Sequence, residues 1–201
     1  MRISAMIWIL SVLAVMGLLA WVGVGVMPAT PGAQPSTGEA LIGGPFTLVD
    51  GSGKTVTDKS YRGKYMLVYF GYTHCPDMCP TALLLIGNAL GELDDATRGK
   101  IAPLFITLDP ERDTPPVMAD YVRHFDHGMI GLTGSPAQIK QAAEAYKVYY
   151  SKVENEGSAL GYLVDHSGYI YLMGPDGKYV THFPNQVSES ALKDGLAKFV
   201  R

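Results

Sequence analysis

Tyr65-Met66-Leu67-Val68-Tyr69-Phe70-Gly71-Tyr72-Thr73-His74-Cys75-Pro76-Asp77-Met78-Cys79-Pro80 is the stretch that decides the fold. Its opening half is an unbroken apolar and aromatic run closed by Gly71, the pattern of a central strand buried on both faces. From Pro80 to Leu93 the positions Leu83, Leu84, Ile86, Leu90 and Leu93 read as a helix, and proline suits a helix only in its first turn. Ile101 to Leu108 reads as a second buried strand, with Pro103 tolerable only near its start. Strand, helix, strand predicts a parallel crossover. The segment from Gly71 to Pro80 then falls where the central strand ends and a helix begins.

The flanking sequence completes the class. Phe46 to Asp50 and Thr55 to Asp58 flank Gly51-Ser52-Gly53-Lys54, which fits a short hairpin at the edge of a sheet. Thr114-Pro115 and Ser135-Pro136 each set a hydroxyl cap before a proline, and Gln138 completes a capping box with Ser135. Helices over 115–126 and 136–146 are predicted from them. Tyr169 to Met173 and Lys178 to Thr181, joined across Gly174-Pro175-Asp176-Gly177, predict a second hairpin, and Ser188 caps a closing helix to about Val200. The class is α/β with a mixed sheet.

Residues 1–27 do not belong to that domain. Ile3 to Met27 is a run of 25 residues without a charge, longer than the ~20 a helix needs to cross a bilayer. A cleaved signal peptide carries an apolar stretch of only ~7 to 15 residues, so the excess length points to a retained transmembrane anchor. Arg2 lies before the run and no Lys or Arg follows it until Lys54, which keeps the N-terminus cytoplasmic and the rest on the far side. Residues 28–44, rich in Pro, Gly, Ala, Ser and Thr, read as a flexible linker, and 45–201 as the folded domain. No Arg-rich transit peptide precedes the run, which favours a bacterial inner-membrane protein, single-pass, with its C-terminal domain in the periplasm.

Sixteen basic and nineteen acidic side chains give a formal charge of -3, and no basic cluster lines up to neutralise phosphates, so nucleic acid is excluded as a partner. The 47% of hydrophobic residues supports a full core and excludes a disordered chain or a disulfide scaffold. Cys75 and Cys79 are the only two cysteines. They sit at a predicted helix N-terminus, where free N–H groups favour an anion such as a thiolate. If residues 75–79 are helix-like, positions i and i+4 share a face, so the pair can converge on one ion or oxidise to each other. Thiolates are soft donors that select Cu(I) or Zn, and two of them leave a metal site incomplete.

A third ligand has five histidine candidates. His74 adjoins Cys75, but neighbouring side chains in an extended loop diverge; His124 and His127 read as solvated or capping residues, and His182 as structural. His166, in Val164-Asp165-His166-Ser167, lies just before the late hairpin, within reach of the strand ends. From spacing alone a satisfied loop histidine fits it as well as a ligand does.

Four motifs in this order give the chain a family likeness: Gly71-Tyr72-Thr73 with Cys75-Pro76-Asp77-Met78-Cys79-Pro80; Asp109-Pro110-Glu111-Arg112-Asp113-Thr114; Gly131-Leu132-Thr133-Gly134; and Val164-Asp165-His166-Ser167. The exported part resembles the Sco/SenC proteins, membrane-anchored copper-binding assembly factors for cytochrome c oxidase. The resemblance implies a thioredoxin-like fold with an inserted hairpin and copper held by Cys75, Cys79 and His166. It implies Cu(I), with Cu(II) admitted by an added oxygen ligand. The implied function is a copper chaperone serving the binuclear copper centre of the oxidase's copper-binding subunit; other copper carriers or thiol reductants are further implied partners. The alternative is a thiol-disulfide oxidoreductase that reduces the oxidase cysteines through Cys75 and Cys79, though its thioredoxin counterpart spaces the pair by two residues where this chain has three. Met78 stands where relatives often carry Val. Asp77 either tunes the site or caps the loop, Tyr72 is expected to line the site, and Asp109, Arg112 and Asp113 are expected to order the loop above it.

Overall fold

The computed structural model describes residues 42–125, 127–154 and 161–201. The anchor read over 1–27 lies outside them, as does the linker read over 28–44 up to residue 41. Contacts with the domain begin by Ile42, which packs on the core, and the Gly43 N–H donates to the Ala145 carbonyl at 2.9 Å. The folded part thus starts slightly before residue 45.

The chain runs through β1 (Thr47–Asp50), β2 (Thr55–Thr57), β3 (Tyr65–Gly71), α1 (Met78–Gly91), the short α2 (Asp95–Arg98) and β4 (Ile101–Thr107). It continues through α3 (Pro115–Val122), β5 (Ile130–Thr133), α4 (Pro136–Ala145), β6 (Tyr150–Glu154), β7 (Tyr162–His166), β8 (Tyr169–Met173), β9 (Tyr179–Pro184) and α5 (Glu189–Phe199). Among the described residues seven strands make one sheet in the order β2-β1-β5-β4-β3-β8-β9, and β6 and β7 pair only with each other. β3, β4 and β5 are parallel, whereas β1 and β8 join antiparallel. The sheet is mixed, as the alternation of elements implies.

β3 is interior because nearly every residue in it is apolar, and Leu67, Val68, Tyr69 and Phe70 are fully buried. At ~1.5 to 3 kcal/mol per large side chain, such a run cannot be left facing water. α1 buries Ala82, Leu83, Ile86, Ala89 and Leu90 at three- and four-residue spacing and packs on α5, which buries Leu192 and Leu196. The β3–β4 register runs from Tyr65↔Ile101 to Gly71↔Thr107, so both strands finish side by side. A 2.7 Å bond from the Leu108 N–H to the Gly71 carbonyl ties the chains as they leave the sheet. That flush end carries the site.

Several boundaries differ from expectation. α1 starts at Met78 rather than Pro80, so Cys79 is inside its first turn. α3 ends at Val122 instead of 126, and His124 Nδ1 donates to the Tyr121 carbonyl at 3.2 Å beyond it. The Ser135–Gln138 capping box and the Ser188 cap form as predicted. Pro103 lies near the start of β4, in register with Leu67 of β3 and ahead of the ladder to β5, which begins at Leu104. β5 and the β6–β7 hairpin carry no strand signal strong enough to have been anticipated.

Candidate metal and thiol centre

Beyond Gly71 the chain turns sharply, with the Cys75 N–H donating to the Tyr72 carbonyl at 3.3 Å. A buried carboxylate holds this turn. Asp113, fully buried, accepts from the Thr73 N–H at 3.0 Å, the Thr73 hydroxyl at 2.6 Å and the Thr107 hydroxyl at 2.6 Å. Three donors on one carboxylate satisfy a charge that could not otherwise remain buried. The expected role of Asp113 in ordering the loop is met through Thr73, a residue the sequence reading did not single out.

Cys79 is fully buried and Cys75 half-buried. The Cys79 sulfur leans on Gly71: a Cβ there would stand 2.7 Å from Cys79 Sγ and 2.9 Å from the Phe105 ring, closer than packed atoms approach. Only glycine leaves room. The Cys79 N–H, a first-turn donor of α1 with no partner inside the helix, donates to Cys75 Sγ at 3.4 Å. Cys75 thereby occupies the helix's anion position, which the Asp77 side chain leaves free. A hydrogen bond from the Cys79 thiol, helped by backbone N–H groups of Asp77 and Cys79 and by the His166 ring, lowers the Cys75 pKa to about 5 against the opposing effect of burial. The same sharing, with deeper burial, pushes Cys79 strongly up. One thiolate and one thiol result, not the two lowered thiols the sequence suggested.

His166 ends β7 and reaches the same place, its Nε2 lying 3.6 Å from Cys79 Sγ. Its Nδ1 is 3.1 Å from the Ser167 carbonyl; a carbonyl only accepts, so Nδ1 carries the proton and the Nε2 lone pair faces the sulfur. Tyr69 and Tyr72 each meet the ring edge-on at 6.2 Å between centroids. Tyr72, Cys75, Pro76, Asp77, Met78 and His166, with Leu163 to Asp165, line a cleft of about 250 Å³. The other histidines stay away from it. His74 turns to Thr73 and Asp113, and His182 accepts or donates to the Tyr179 hydroxyl at 2.6 Å. Among the described residues no three His, Cys, Asp or Glu side chains are already gathered as tightly as a bound ion requires.

The hairpin carrying His166 hangs on Asp109, the other fully buried carboxylate. Asp109 accepts from the Tyr162 hydroxyl at 2.7 Å and pairs with Arg112, whose guanidinium lies 3.8 Å over the Tyr162 ring and donates to the Tyr162 carbonyl at 3.3 Å. Tyr162 escaped the sequence reading because a tyrosine beside glycines carries no signal of a distant acid.

An α/β sheet ending in a dithiol at a strand-to-helix turn, faced by an imidazole, defines a thioredoxin-like domain with two thiols and a histidine at one cleft. The SCO1/SenC family pattern matches residues 34–201, and the chain belongs to that family. It is 45% identical over 167 residues to the mitochondrial SCO1 homolog 1 of Arabidopsis thaliana, covering 83% of this chain and 49% of that protein. The chain thus spans about half the length of such curated relatives. The copper-bound crystal structure of Arabidopsis thaliana ScoI has a TM-score of 0.73 at 44% identity, covering 80% of this chain and 98% of the other. The copper-bound structure of Bradyrhizobium japonicum ScoI has a TM-score of 0.68 at 43% identity, covering 79% and 99%.

Proposed function

We propose that this chain is a membrane-tethered copper chaperone that holds copper through Cys75, Cys79 and His166 and hands it to the binuclear copper centre of cytochrome c oxidase. The observation that carries the reading is the 3.6 Å separation of His166 Nε2 from Cys79 Sγ with Nδ1 already tied to a carbonyl. Metal–sulfur and metal–nitrogen bonds of about 2.3 and 2.0 Å meeting at a trigonal angle give a ligand-to-ligand edge of roughly 3.7 Å. That one sulfur–nitrogen pair is spaced as two ligands of one ion would be, and Cys75 would have to close on it to complete the set. Two sulfurs and one imidazole form a soft set suited to Cu(I), and copper-bound relatives at 44% and 43% identity support the choice. Cys75, half-exposed, is the sulfur an acceptor thiolate meets first, while buried Cys79 releases last. Transfer is ligand exchange without net oxidation. Residues 1–27 would anchor the domain on the periplasmic side of a bacterial inner membrane.

Anaerobic Cu(I) titration of the full-length chain, purified in detergent and reduced, should show one ion per chain. His166→Ala should weaken binding at least tenfold; full affinity in that variant removes His166 from the ligand set.

A second reading has its own observation, the unequal thiols. As an oxidoreductase, the Cys75 thiolate attacks one sulfur of a target disulfide, forming a mixed disulfide and releasing a target thiolate. Cys79 then loses its proton and attacks Cys75 Sγ, closing the Cys75–Cys79 disulfide and freeing the second target thiolate. Two electrons pass to the target. This chemistry does not require His166, so an oxidase that still assembles with His166→Ala but not with Cys75→Ser favours it.

A further inference from the structure

Tyr69 sits in β3 with its whole side chain out of solvent, yet its hydroxyl has no hydrogen-bond partner among the described residues. A buried hydroxyl left unpaired costs folding free energy, and this ring cannot turn to avoid the cost. It is stacked on Phe105 at 6.3 Å with 17° between planes, and His166 meets it edge-on. Its surroundings are specific. The bare face of Gly71 is flanked by Cys79 Sγ on one side and the Tyr69 ring edge on the other, 2.7 and 3.4 Å from where a Cβ would stand. Cys79, Asn185 and Cys75 are the polar groups near enough to influence the hydroxyl, and burial above all pushes its ionisation up, so it remains a donor.

The structure gives this hydroxyl no partner among the described residues that meets hydrogen-bond geometry, and a sulfur bound to a metal as thiolate is a strong acceptor. We propose that the Tyr69 hydroxyl is a positioning group that donates a hydrogen bond to the Cys79 sulfur in the copper-loaded protein, fixing that sulfur's direction and electron density. The inference rests on Cys79 being a copper ligand. It assigns a role to a residue whose position in a doubly buried strand otherwise marks it as core.

Tyr69→Phe keeps the ring and removes only the oxygen. In the metal-free reduced protein the variant should melt at the same temperature as the parent or higher, since an unsatisfied group is gone. On loading with Cu(II), the thiolate-to-copper charge-transfer band should move to longer wavelength, because a sulfur without the hydrogen bond gives up its electron more readily. Cu(I) affinity should fall about tenfold, the effect of one hydrogen bond to a charged acceptor. A band unmoved between parent and Tyr69→Phe overturns the inference. If the parent itself develops no charge-transfer band, the copper reading fails first, and the two failures are told apart by that control.

Discussion

The β3–α1 turn and the β6–β7 hairpin bring sulfur and nitrogen to one cleft with different backing. The turn leaves a strand buried along all but its first residue, and Cys79 rests against Gly71. The hairpin pairs with no strand of the main sheet, and most of β6 is solvent-facing. Val164 is buried in the core with Tyr150 and Tyr162 packed against it, and the rest of the hairpin's hold on the domain is polar: the Asp109–Tyr162–Arg112 cluster and a surface ion pair of Lys152 with Glu111. The sulfurs are therefore placed by core packing and the imidazole by one core valine, two tyrosines and a handful of hydrogen bonds. The two arms should be separable by mutation.

The strongest test removes the carboxylate under the sulfur arm. Asp113→Ala strips three donors of their shared acceptor in a site closed to water, and should cost about 3 kcal/mol or more in denaturant unfolding. A loss no greater than that of a surface substitution would show that the turn stands without it. Asp109→Asn acts on the other arm and should cost less, roughly 1 to 3 kcal/mol. Its signature is selectivity: copper affinity falls as His166 loosens, while the rate of Cys75 alkylation at fixed pH is kept. Equal changes in both would mean that the arms are one unit.

The sulfur arm can also be sharpened through pH. In the reduced, metal-free protein Cys75 should gain alkylation reactivity through about pH 5, and be fully reactive where an ordinary thiol, titrating near ~8.5, is still protonated. Cys79→Ala removes the thiol that donates to the thiolate, so the thiolate is less favoured and the midpoint must rise. A midpoint that stays put assigns the lowering to the backbone N–H groups alone. Smallest is Ser135→Ala, which breaks the α4 capping box for about 1 kcal/mol and leaves the cleft untouched. A changed copper affinity in that variant would mean that α4 communicates with the hairpin.

What could be read from the sequence follows the same division. β3, α1 and β4 were legible because a doubly buried strand must be apolar throughout, and Pro80 marks a helix start. The Cys75–Cys79 pair was legible from spacing. His166 was singled out by its place before the late hairpin, but its assignment as a ligand came from family resemblance, since the ring meets a sulfur 87 residues away and local pattern does not encode that closure. β6, with Tyr150-Ser151-Lys152-Val153-Glu154 half in water, has too little apolar contrast to announce a strand. Asp109, Arg112 and Asp113 were legible as a charged cluster that orders the loop, but their partners were not, because nothing along the chain says that Thr73, Thr107 and Tyr162 will converge on the two carboxylates. Tyr69 was absorbed into the apolar run although its oxygen is the one polar atom that run's side chains carry deep into the core.

The carbonyl that holds His166 Nδ1 belongs to the very next residue, just past the end of β7. The imidazole is therefore aligned by its own main chain before any ligand arrives, and its rotational freedom is already lost in the folded protein. Little reordering is left for capture or release of an ion at that nitrogen, so the pace of exchange is left to the half-exposed Cys75 and to whatever thiol approaches it.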